Sequence, residues 1–347
     1  MRVASLAVVF ALVCVTATAH ATGTVWDDAS FSGALQRAER EQKLVFIDLY
    51  ASWCAPCQQM DSDVYPREEV GRALATGYIA LRRDGERGDG IEIAQRYHVS
   101  GYPTMLVVDA RGVELDRLVG SLGATELVQQ LGRIRGGKGT VADLERVFAI
   151  APTDALRFEL GTRYAMRADA RAIVELEGAA KSDPDNRAHR ASAALFSLGK
   201  FYYLRGVRDY AEAERTLTDL ETRFPTSEEA AQAPYQRALA RQQSGHTDDA
   251  HRVLDAWIAA APSRADRLAA YAWFCFKESA AYSRGIEIAR RGLALAPKDD
   301  GMWDTLGELY TVTHDRTEAK KAFARAIALS PKREYYRSQL RKVGDAP

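Results

Sequence analysis

Residues 44–57 read LVFIDLYASWCAPC, and they predict a strand that leads into a cysteine pair. The first seven residues are apolar except for Asp48, which is typical of a buried strand. Cys54 and Cys57 then lie in the first turn of the helix that follows, three positions apart, where they can close a small disulfide. A helix N-terminus favours a thiolate, which is the nucleophile in disulfide exchange. We therefore predict that Cys54 attacks a substrate disulfide and that Cys57, further into the helix and more buried, resolves the product.

Strands and helices alternate around this segment, from about residue 25 to residue 134. The predicted strands are 44–50, 78–82, 104–109 and 114–119, and the predicted helices are 31–41, 69–75, 91–97 and 125–134. Residues 84–90 are polar and contain glycine, and the mixed charges from Arg82 to Asp89 predict a solvated loop. Strands separated by helices indicate an α/β domain with a central mixed sheet, which we assign to residues 24–135.

A helical half is predicted after a glycine-rich linker at residues 136–140. Prolines recur there at positions 184, 225, 262, 297 and 331, separated by 41, 37, 35 and 34 residues. A spacing near 34 residues, with each proline closing an Ala/Leu-rich stretch, is a repeat signature. We therefore predict an all-α array of helical repeats over residues 141–343, with a generic helical bundle as the alternative.

The last repeat unit carries the clearest pattern. Its matching positions are Trp303, Leu306, Gly307 and Tyr310 on one predicted helix and Ala319, Phe323, Ala326 and Pro331 on and after the next. This pattern resembles the tetratricopeptide repeat, in which small residues let two helices approach and aromatic side chains fill the groove between repeats. The resemblance implies four or five units, a capping helix at 333–343, and a concave surface that binds a peptide or protein ligand.

The first half resembles the thioredoxin family over about 110 residues. The matching features are Trp53-Cys54-Ala55-Pro56-Cys57 after the strand, Asp48 six positions before Cys54, and Gly101-Tyr102-Pro103-Thr104 before the next strand. Gln58 stands where thioredoxins often have lysine, and residues 41–60 look closer to the thioredoxin-like domains of exported bacterial proteins. The Ala-Pro pair between the cysteines, without a histidine, favours a redox couple that is reducing or of intermediate reduction potential over a strong oxidant.

This resemblance implies a role for each matching residue. Pro103 is expected to be a cis-proline whose loop lies beside the cysteines and leaves a backbone edge free to pair with a bound thiol peptide. Asp48 is expected to have a raised pKa and to relay the proton that Cys57 loses. Trp53 is expected to cover the disulfide. The implied substrate-binding residues are Trp53, Ala55, Pro56, Tyr102 and Pro103.

Three alternatives to a redox-active cysteine pair fit the sequence less well. A structural zinc site needs four ligands, and one Cys-x-x-Cys with His98 in the same domain falls short. Covalent haem attachment needs a histidine after the second cysteine, where Gln58 stands. A purely structural disulfide would not explain Asp48 together with Pro103. A degenerate, inactive domain is the remaining alternative, and we predict neither a metal nor a cofactor.

The N-terminus has the features of a secretory signal. An apolar run at residues 4–15 is followed by small residues up to Ala19 and Ala21, so we expect residues 1–21 to be cleaved and the mature protein to be soluble in the bacterial periplasm. An uncleaved anchor is the weaker alternative, because a spanning helix needs roughly 20 apolar residues. Cys14 would leave with the signal. Cys275, among aromatic residues, is expected to be a small buried side chain, with a regulatory or intermolecular thiol as the alternative.

Composition narrows the function further. Lys plus Arg and Asp plus Glu each count 47, so the formal net charge is zero and no overall field would hold a nucleic acid. These features together predict an exported thiol–disulfide oxidoreductase whose repeats recruit client proteins and whose cysteine pair is recycled by a redox partner, such as a membrane protein. The alternative is a scaffold in which the repeats bind a partner and the thioredoxin fold is a docking module. The sequence leaves the direction of electron flow open.

Overall fold

The computed structural model describes residues 23–345 of the chain. The predicted signal segment, residues 1–21, lies outside these described residues, so its assignment stays a prediction. The described chain folds into an α/β domain followed by a series of helices, which confirms the predicted fold class. Within residues 23–345, none of the helices combines the length and the apolarity that crossing a bilayer requires.

The α/β domain is built on a four-stranded mixed sheet. Its elements are α1 (Phe31–Glu41), β1 (Leu44–Tyr50), α2 (Ala55–Asp63), α3 (Glu68–Gly77), β2 (Tyr78–Asp84), α4 (Asp89–Arg96), β3 (Thr104–Val108), β4 (Glu114–Val119) and α5 (Ala124–Arg135). The strand order is β2-β1-β3-β4, with β2 parallel to β1 and β3 antiparallel to both of its neighbours. β1 is therefore a central strand, and the chain leaves its C-terminal end directly into the cysteine pair.

β1 is apolar except at Asp48, because its other side chains enter two separate cores. Phe46 packs on one face with residues of α3 and α5, among them Leu131. Val45 and Ile47 pack on the other face with residues of α1 and α4, among them Ala38. A strand covered by helices on both faces needs a continuous apolar run, which is the pattern that residues 44–50 show.

The segment after β2 differs from its prediction. β2 continues to Asp84, so Arg82 and Arg83 are strand residues with largely buried side chains, and the prediction of a solvated loop is wrong for them. The mixed charges reflect ion pairs, since Arg82 lies 3.1 Å from Asp48 and Arg83 lies 3.0 Å from Asp89. Helix α4 also begins at Asp89, two residues before its predicted start.

The second half of the described chain is helical. Its helices are α6 (Val141–Ile150), α7 (Asp154–Ala165), α8 (Arg171–Lys181), α9 (Arg190–Ser197), α10 (Tyr210–Arg223), α11 (Glu228–Gln243), α12 (Thr247–Ala259), α13 (Ala265–Phe274), α14 (Tyr282–Leu295), α15 (Asp300–Val312), α16 (Arg316–Leu329) and α17 (Glu334–Asp345). Residues 136–140, the predicted linker, lie between α5 and α6. Two helices continue with π-helical geometry, α9 through Leu198–Val207 and α13 through Cys275–Ser279.

Close helix packing explains the glycines of the repeat pattern. In three helix pairs, a glycine on the first helix faces a large side chain on the second helix. A Cβ added to that glycine would lie within 2.8 Å of the facing side chain. These contacts are Gly161 with Leu176, Gly199 with Leu217 and Gly307 with Phe323. Phe323 and Ala319 are buried, as their places in the tetratricopeptide pattern predict. The helical half is therefore an array of tetratricopeptide-type pairs, which we call the repeat array (residues 141–345).

A buried ion cluster joins the two halves. Asp116 of β4 is fully buried and accepts hydrogen bonds from Arg133 of α5 at 2.6 Å and from Arg163 of α7 at 2.5 Å. Arg167, just after α7, lies 3.5 Å from the same carboxylate. Because Arg163 and Arg167 belong to the repeat array, Asp116 ties the start of that array to the sheet.

Candidate active site

The cysteine pair lies where β1 gives way to α2. Cys54 is the N-cap of α2, and it forms a disulfide with Cys57 across a Cα–Cα distance of 5.3 Å. The backbone N–H of Cys57 donates to Sγ of Cys54 at 3.2 Å. This N–H group has no acceptor within the helix itself, so the sulfur takes that place and also faces the positive end of the helix dipole. Both interactions favour a thiolate once the disulfide is reduced.

Both sulfurs are shielded from solvent. Cys54 is 2% exposed and Cys57 is 1% exposed. Cys57 is the more buried of the two, as predicted, but the difference is small because Cys54 is covered almost as completely. The helix alone cannot cause this burial, since an N-cap residue lies at the exposed end of its helix. The cover comes from neighbouring elements.

One part of the cover is the loop before β3. The peptide bond between Tyr102 and Pro103 is cis, and Pro103 is buried at the start of that strand. Tyr102 and Trp53 pack against the cluster that contains both cysteines, and their rings meet edge to face at 6.1 Å. Trp53 is held further by its indole N–H, which donates to Glu86 at 2.8 Å. The structure thus brings Trp53, Tyr102 and Pro103 to the disulfide; Ala55 and Pro56 lie between its two cysteines.

Asp48 is a buried carboxyl group in the middle of β1. Its Oδ2 accepts a hydrogen bond from Nε of Arg82 at 3.1 Å, while Oδ1 has no hydrogen-bond partner of normal geometry among the described residues. Burial raises the pKa of Asp48 to about 6, although the charge of Arg82 opposes the rise. Arg82 also donates to Asp61 at 2.6 Å. This carboxyl group can therefore change its protonation state near neutral pH, which an ordinary aspartate cannot.

Sequence reasoning missed the partner of Asp48, although a signal for it exists. Asp48 and Arg82 are paired residues of the two parallel strands β1 and β2. In the predicted strands each residue is the fifth, counted from Leu44 and from Tyr78. A carboxylate and a guanidinium at equal positions of adjacent parallel strands lie side by side, so aligning the two predicted strands would have paired them.

Residues of the repeat array also border the site, and the sequence did not predict them there. The ring of Trp273, at the end of α13, lies 5.9 Å from the ring of Trp53. The ammonium group of Lys277 lies 3.9 Å from the centre of the Trp53 ring. On the other side, Ala55 packs against a cluster that contains Tyr335 of α17. The active-site surface is therefore shared between the two halves of the chain.

The remaining chemistry-bearing residues lie apart from this site. Cys275, the one free thiol within residues 23–345, is fully buried, and burial raises its pKa to about 12. This confirms the prediction of a small buried side chain. Across the same described residues, no group of three His, Cys, Asp or Glu side chains is placed to hold a metal ion.

The α/β domain is similar in sequence to known proteins. Residues 25–110 match the family described as thioredoxin-like. A thiol:disulfide interchange protein, DsbD of Pseudomonas fluorescens, is 35% identical over 123 residues, which cover 34% of this chain and 21% of that protein. The chloroplastic thioredoxin Y of Oryza sativa subsp. japonica is 33% identical over 102 residues, which cover 29% of this chain and 57% of the relative. The resemblance predicted from the cysteine motif is therefore confirmed for this domain.

The chain was also compared with solved structures. YrrB, described as a TPR protein with an unusual peptide-binding site, aligns with 57% of this chain and 97% of its own length, at 11% identity and a TM-score of 0.35. The present chain spans about a fifth of the DsbD relative and somewhat more than half of the thioredoxin Y relative.

Proposed function

We propose that this chain is an exported thiol–disulfide oxidoreductase that reduces or exchanges disulfides of client proteins through Cys54 and Cys57. The observation that carries the proposal is the disulfide at the N-terminus of α2 with the Tyr102–Pro103 loop packed beside it. The match to the thioredoxin-like family and the relative described as a thiol:disulfide interchange protein support the same reaction class. The signal-like N-terminus supports export, and the repeat array supports recruitment of a client.

The proposed cycle starts from the reduced pair. The thiolate of Cys54 attacks one sulfur of a client disulfide, forms a mixed disulfide, and releases the other client sulfur as a thiolate that takes up a proton. Cys57 passes its proton to Asp48 and attacks Sγ of Cys54. The second client thiolate then leaves and takes up a proton, and Asp48 releases the proton that it received, so that its carboxylate is regenerated. Two electrons and two protons have moved to the client, and the pair ends as the disulfide that the structure contains.

Return to the dithiol requires a second thiol protein. A dithiol donor would attack the Cys54–Cys57 disulfide through the same two exchange steps in reverse order, and it would itself end as a disulfide. The Ala-Pro pair between the cysteines and the absence of a neighbouring histidine support the reducing direction. In this proposal the repeat array holds the client, and Cys54 reacts alternately with the client and with the donor.

Trapping of the mixed disulfide tests the proposed function directly. In a Cys57→Ser variant, Cys54 can still attack a client disulfide, but no thiol is present to resolve the product. We expect reduced Cys57→Ser protein mixed with insulin to accumulate a covalent adduct that mass spectrometry locates at Cys54 and that dithiothreitol releases. Wild-type protein should show little adduct, because Cys57 resolves it.

A matched control separates this reaction from random oxidation. Cys57→Ser combined with Cys275→Ala should trap the same amount of adduct, since the buried thiol of Cys275 stays protonated and inaccessible. Absence of an adduct at Cys54 under conditions in which the variant is folded and reduced would rule out an active redox pair and leave the scaffold alternative.

Asp48 is expected to make resolution of the mixed disulfide dependent on pH. With a pKa of about 6, its carboxyl group is mostly protonated at about pH 5 and mostly ionised at about pH 7, and only the ionised form accepts a proton from Cys57. The wild-type rate should therefore rise across this range. Asp48→Asn should slow resolution by about tenfold or more at neutral pH, with the deficit shrinking toward about pH 9 as Cys57 ionises without help. Stopped-flow measurement of resolution against pH provides the comparison.

Asp61→Asn is the matched control for this prediction. Asp61 is the other carboxylate bound by Arg82, but it is partly exposed and lies outside β1. Its replacement should move the pH profile only slightly, toward lower pH, because the charge of Asp61 makes only a small contribution to the raised pKa of Asp48. If Asp48→Asn also keeps the wild-type profile, Asp48 has a structural role and does not relay the proton.

A further inference from the structure

The burial of Cys54 is unexpected for a sulfur that must touch a client. At 2% exposure, it cannot meet a disulfide of another protein in the arrangement described. The resemblance to thioredoxins assigns client binding to the surface around Trp53, Ala55 and the Gly101-Tyr102-Pro103 loop. In this chain each of these three places is contacted by the repeat array.

The first contact is made by the end of α13 and its π-helical extension. Trp273 and Lys277 lie one turn apart, and both face Trp53 rather than the interior of the array. Of the residues between them, Phe274 and Cys275 are fully buried in the core of the array. Trp273 and Lys277 are thus held on a firmly packed helix, with an aromatic ring and a cation against the indole next to Cys54.

The second contact is made by α17. Tyr335 is buried and belongs to the cluster against which Ala55 packs. Beside this contact lies a cavity of about 590 Å³, with Arg333, Glu334 and Ser338 on one side. The opposite side is formed by Tyr50, Ser52, Gln58 and Arg82 of the α/β domain. The end of the repeat array therefore lies over the first turn of α2 and leaves a narrow space next to it.

The third contact involves the loop before β3. Nη1 of Arg205, in the π-helical extension of α9, lies 3.5 Å from the position that a Cβ would take at Gly101. Arg205 is half-buried, and its desolvation lowers its pKa. Three elements of one array thus reach the three parts of the surface on which a client would lie.

We propose that the repeat array selects the substrates of the redox site, with Trp273 and Lys277 closing the surface next to Cys54 against folded proteins while small disulfides pass. This inference rests on the proposed function, because it assumes that Cys54 reacts with disulfides. The closed arrangement is in equilibrium with an open one in which the array has moved away from Trp53. A compact protein reacts only with the open form, so contacts present only in the closed form set its rate.

Chemical labelling of Cys54 tests this inference without relying on turnover. Cys54 is made the reactive thiol by combining Cys57→Ser with Cys275→Ala, and the reduced protein is labelled with iodoacetamide or with a bulky polyethylene-glycol maleimide. Adding Trp273→Ala and Lys277→Ala should raise the rate with the bulky reagent by about tenfold, equivalent to about 1.4 kcal/mol in the opening equilibrium. The rate with iodoacetamide should change much less.

Two further variants serve as matched controls. Trp257→Ala removes a tryptophan that packs on Tyr235 within the array, and Lys298→Ala removes an exposed cation of the same array. Neither should increase labelling by the bulky reagent. An equal increase in these controls, or an unchanged ratio of the two reagents after Trp273→Ala and Lys277→Ala, would overturn the inference.

Turnover distinguishes this inference from the proposed function. With Cys57 present, Trp273→Ala and Lys277→Ala should raise kcat/KM for insulin by about tenfold and leave that for glutathione disulfide within about twofold. If both substrates are reduced and the two replacements have no effect, the array does not select substrates, but the proposed oxidoreductase activity stands. Failure to reduce either substrate would remove the oxidoreductase, while the labelling rates would still decide whether the array closes over Cys54. A fall in insulin reduction would mean that Trp273 and Lys277 bind the client instead of excluding it.

Discussion

Cys54→Ser should lower the rate of disulfide reduction by about a thousandfold or more, a loss of about 4 kcal/mol of transition-state stabilisation. The reason is chemical, because a serine hydroxyl remains protonated where a thiol at a helix N-terminus becomes a thiolate. Cys57 cannot replace the missing nucleophile, since its thiol lies further into α2 and not at the N-cap, where an N–H group of the helix favours the thiolate. The assay is dithiol-dependent reduction of insulin by the purified protein.

Serine is a clean replacement at this position. The N-cap of α2 needs an acceptor for the N–H of Cys57, and a serine oxygen supplies it as well as the sulfur does. Under oxidising conditions the wild-type protein has a disulfide that the variant cannot form, and so short a loop contributes about 2 kcal/mol. The stabilities of the two proteins should therefore be compared in the reduced state. We expect the melting temperatures of the two reduced proteins to agree, which assigns the lost activity to chemistry and not to unfolding.

Cys275→Ala is the control for this loss. The thiol of Cys275 is buried in the array, and its pKa is raised by burial, so it contributes no thiolate. This variant should retain the wild-type rate. Retention of most of the rate in Cys54→Ser would contradict the proposed mechanism, whatever the state of Cys275.

The elements that sequence could predict are those whose pattern is local. The bounds of α1 and β1 agree with their predictions, because the apolar spacing of residues 31–50 already distinguishes a helix from a buried strand. Gly307 was predicted to let two helices approach closely, and it does, because Phe323 of the next helix packs directly against it. Asp48 was singled out because a carboxyl group in an apolar run is an anomaly whatever surrounds it.

The cover over the active site could not be predicted in this way. Trp53 and Trp273 are separated by more than two hundred residues, and their contact depends on how every pair of the array packs on the next. A partial signal existed, since Trp273, Phe276 and Lys277 fall on one helical face while Phe274 and Cys275 fall on the other. That pattern indicates that the face with Trp273, Phe276 and Lys277 packs against something outside the core of the array, but it does not identify what. The burial of Cys54 follows from the same contacts and was therefore also missed.

Asp116→Asn should destabilise the junction between the two halves by about 3–5 kcal/mol. The amide has the size of the carboxylate but not its charge, so Arg133 and Arg163 would lose a buried anion that lies 2.6 Å and 2.5 Å from them. Removing the one anion that all these arginines share leaves their charges partly desolvated and without their buried partner, although Arg163 keeps its pair with Glu159, and this is why the effect is large. Urea unfolding followed by tryptophan fluorescence should show the lower stability. Asp219→Asn, which removes an exposed pair with Arg223 on α10, should change stability little.

A double-mutant cycle shows whether Asp116 acts across the junction or only within its own domain. Arg163 belongs to α7, whereas Arg133 belongs to the α/β domain. If Asp116 holds the array to the sheet, Asp116→Asn and Arg163→Met should be strongly coupled, because either change alone removes the same ion pair and the double variant no longer buries an unpaired arginine there. Additive effects would mean that the carboxylate stabilises the α/β domain through Arg133 alone. In that case the start of the array would be held to the sheet by its other contacts, the ion pair of Arg167 with Glu114 at 2.8 Å and the hydrogen bond that Arg117 donates to the carbonyl oxygen of Met166 at 2.5 Å.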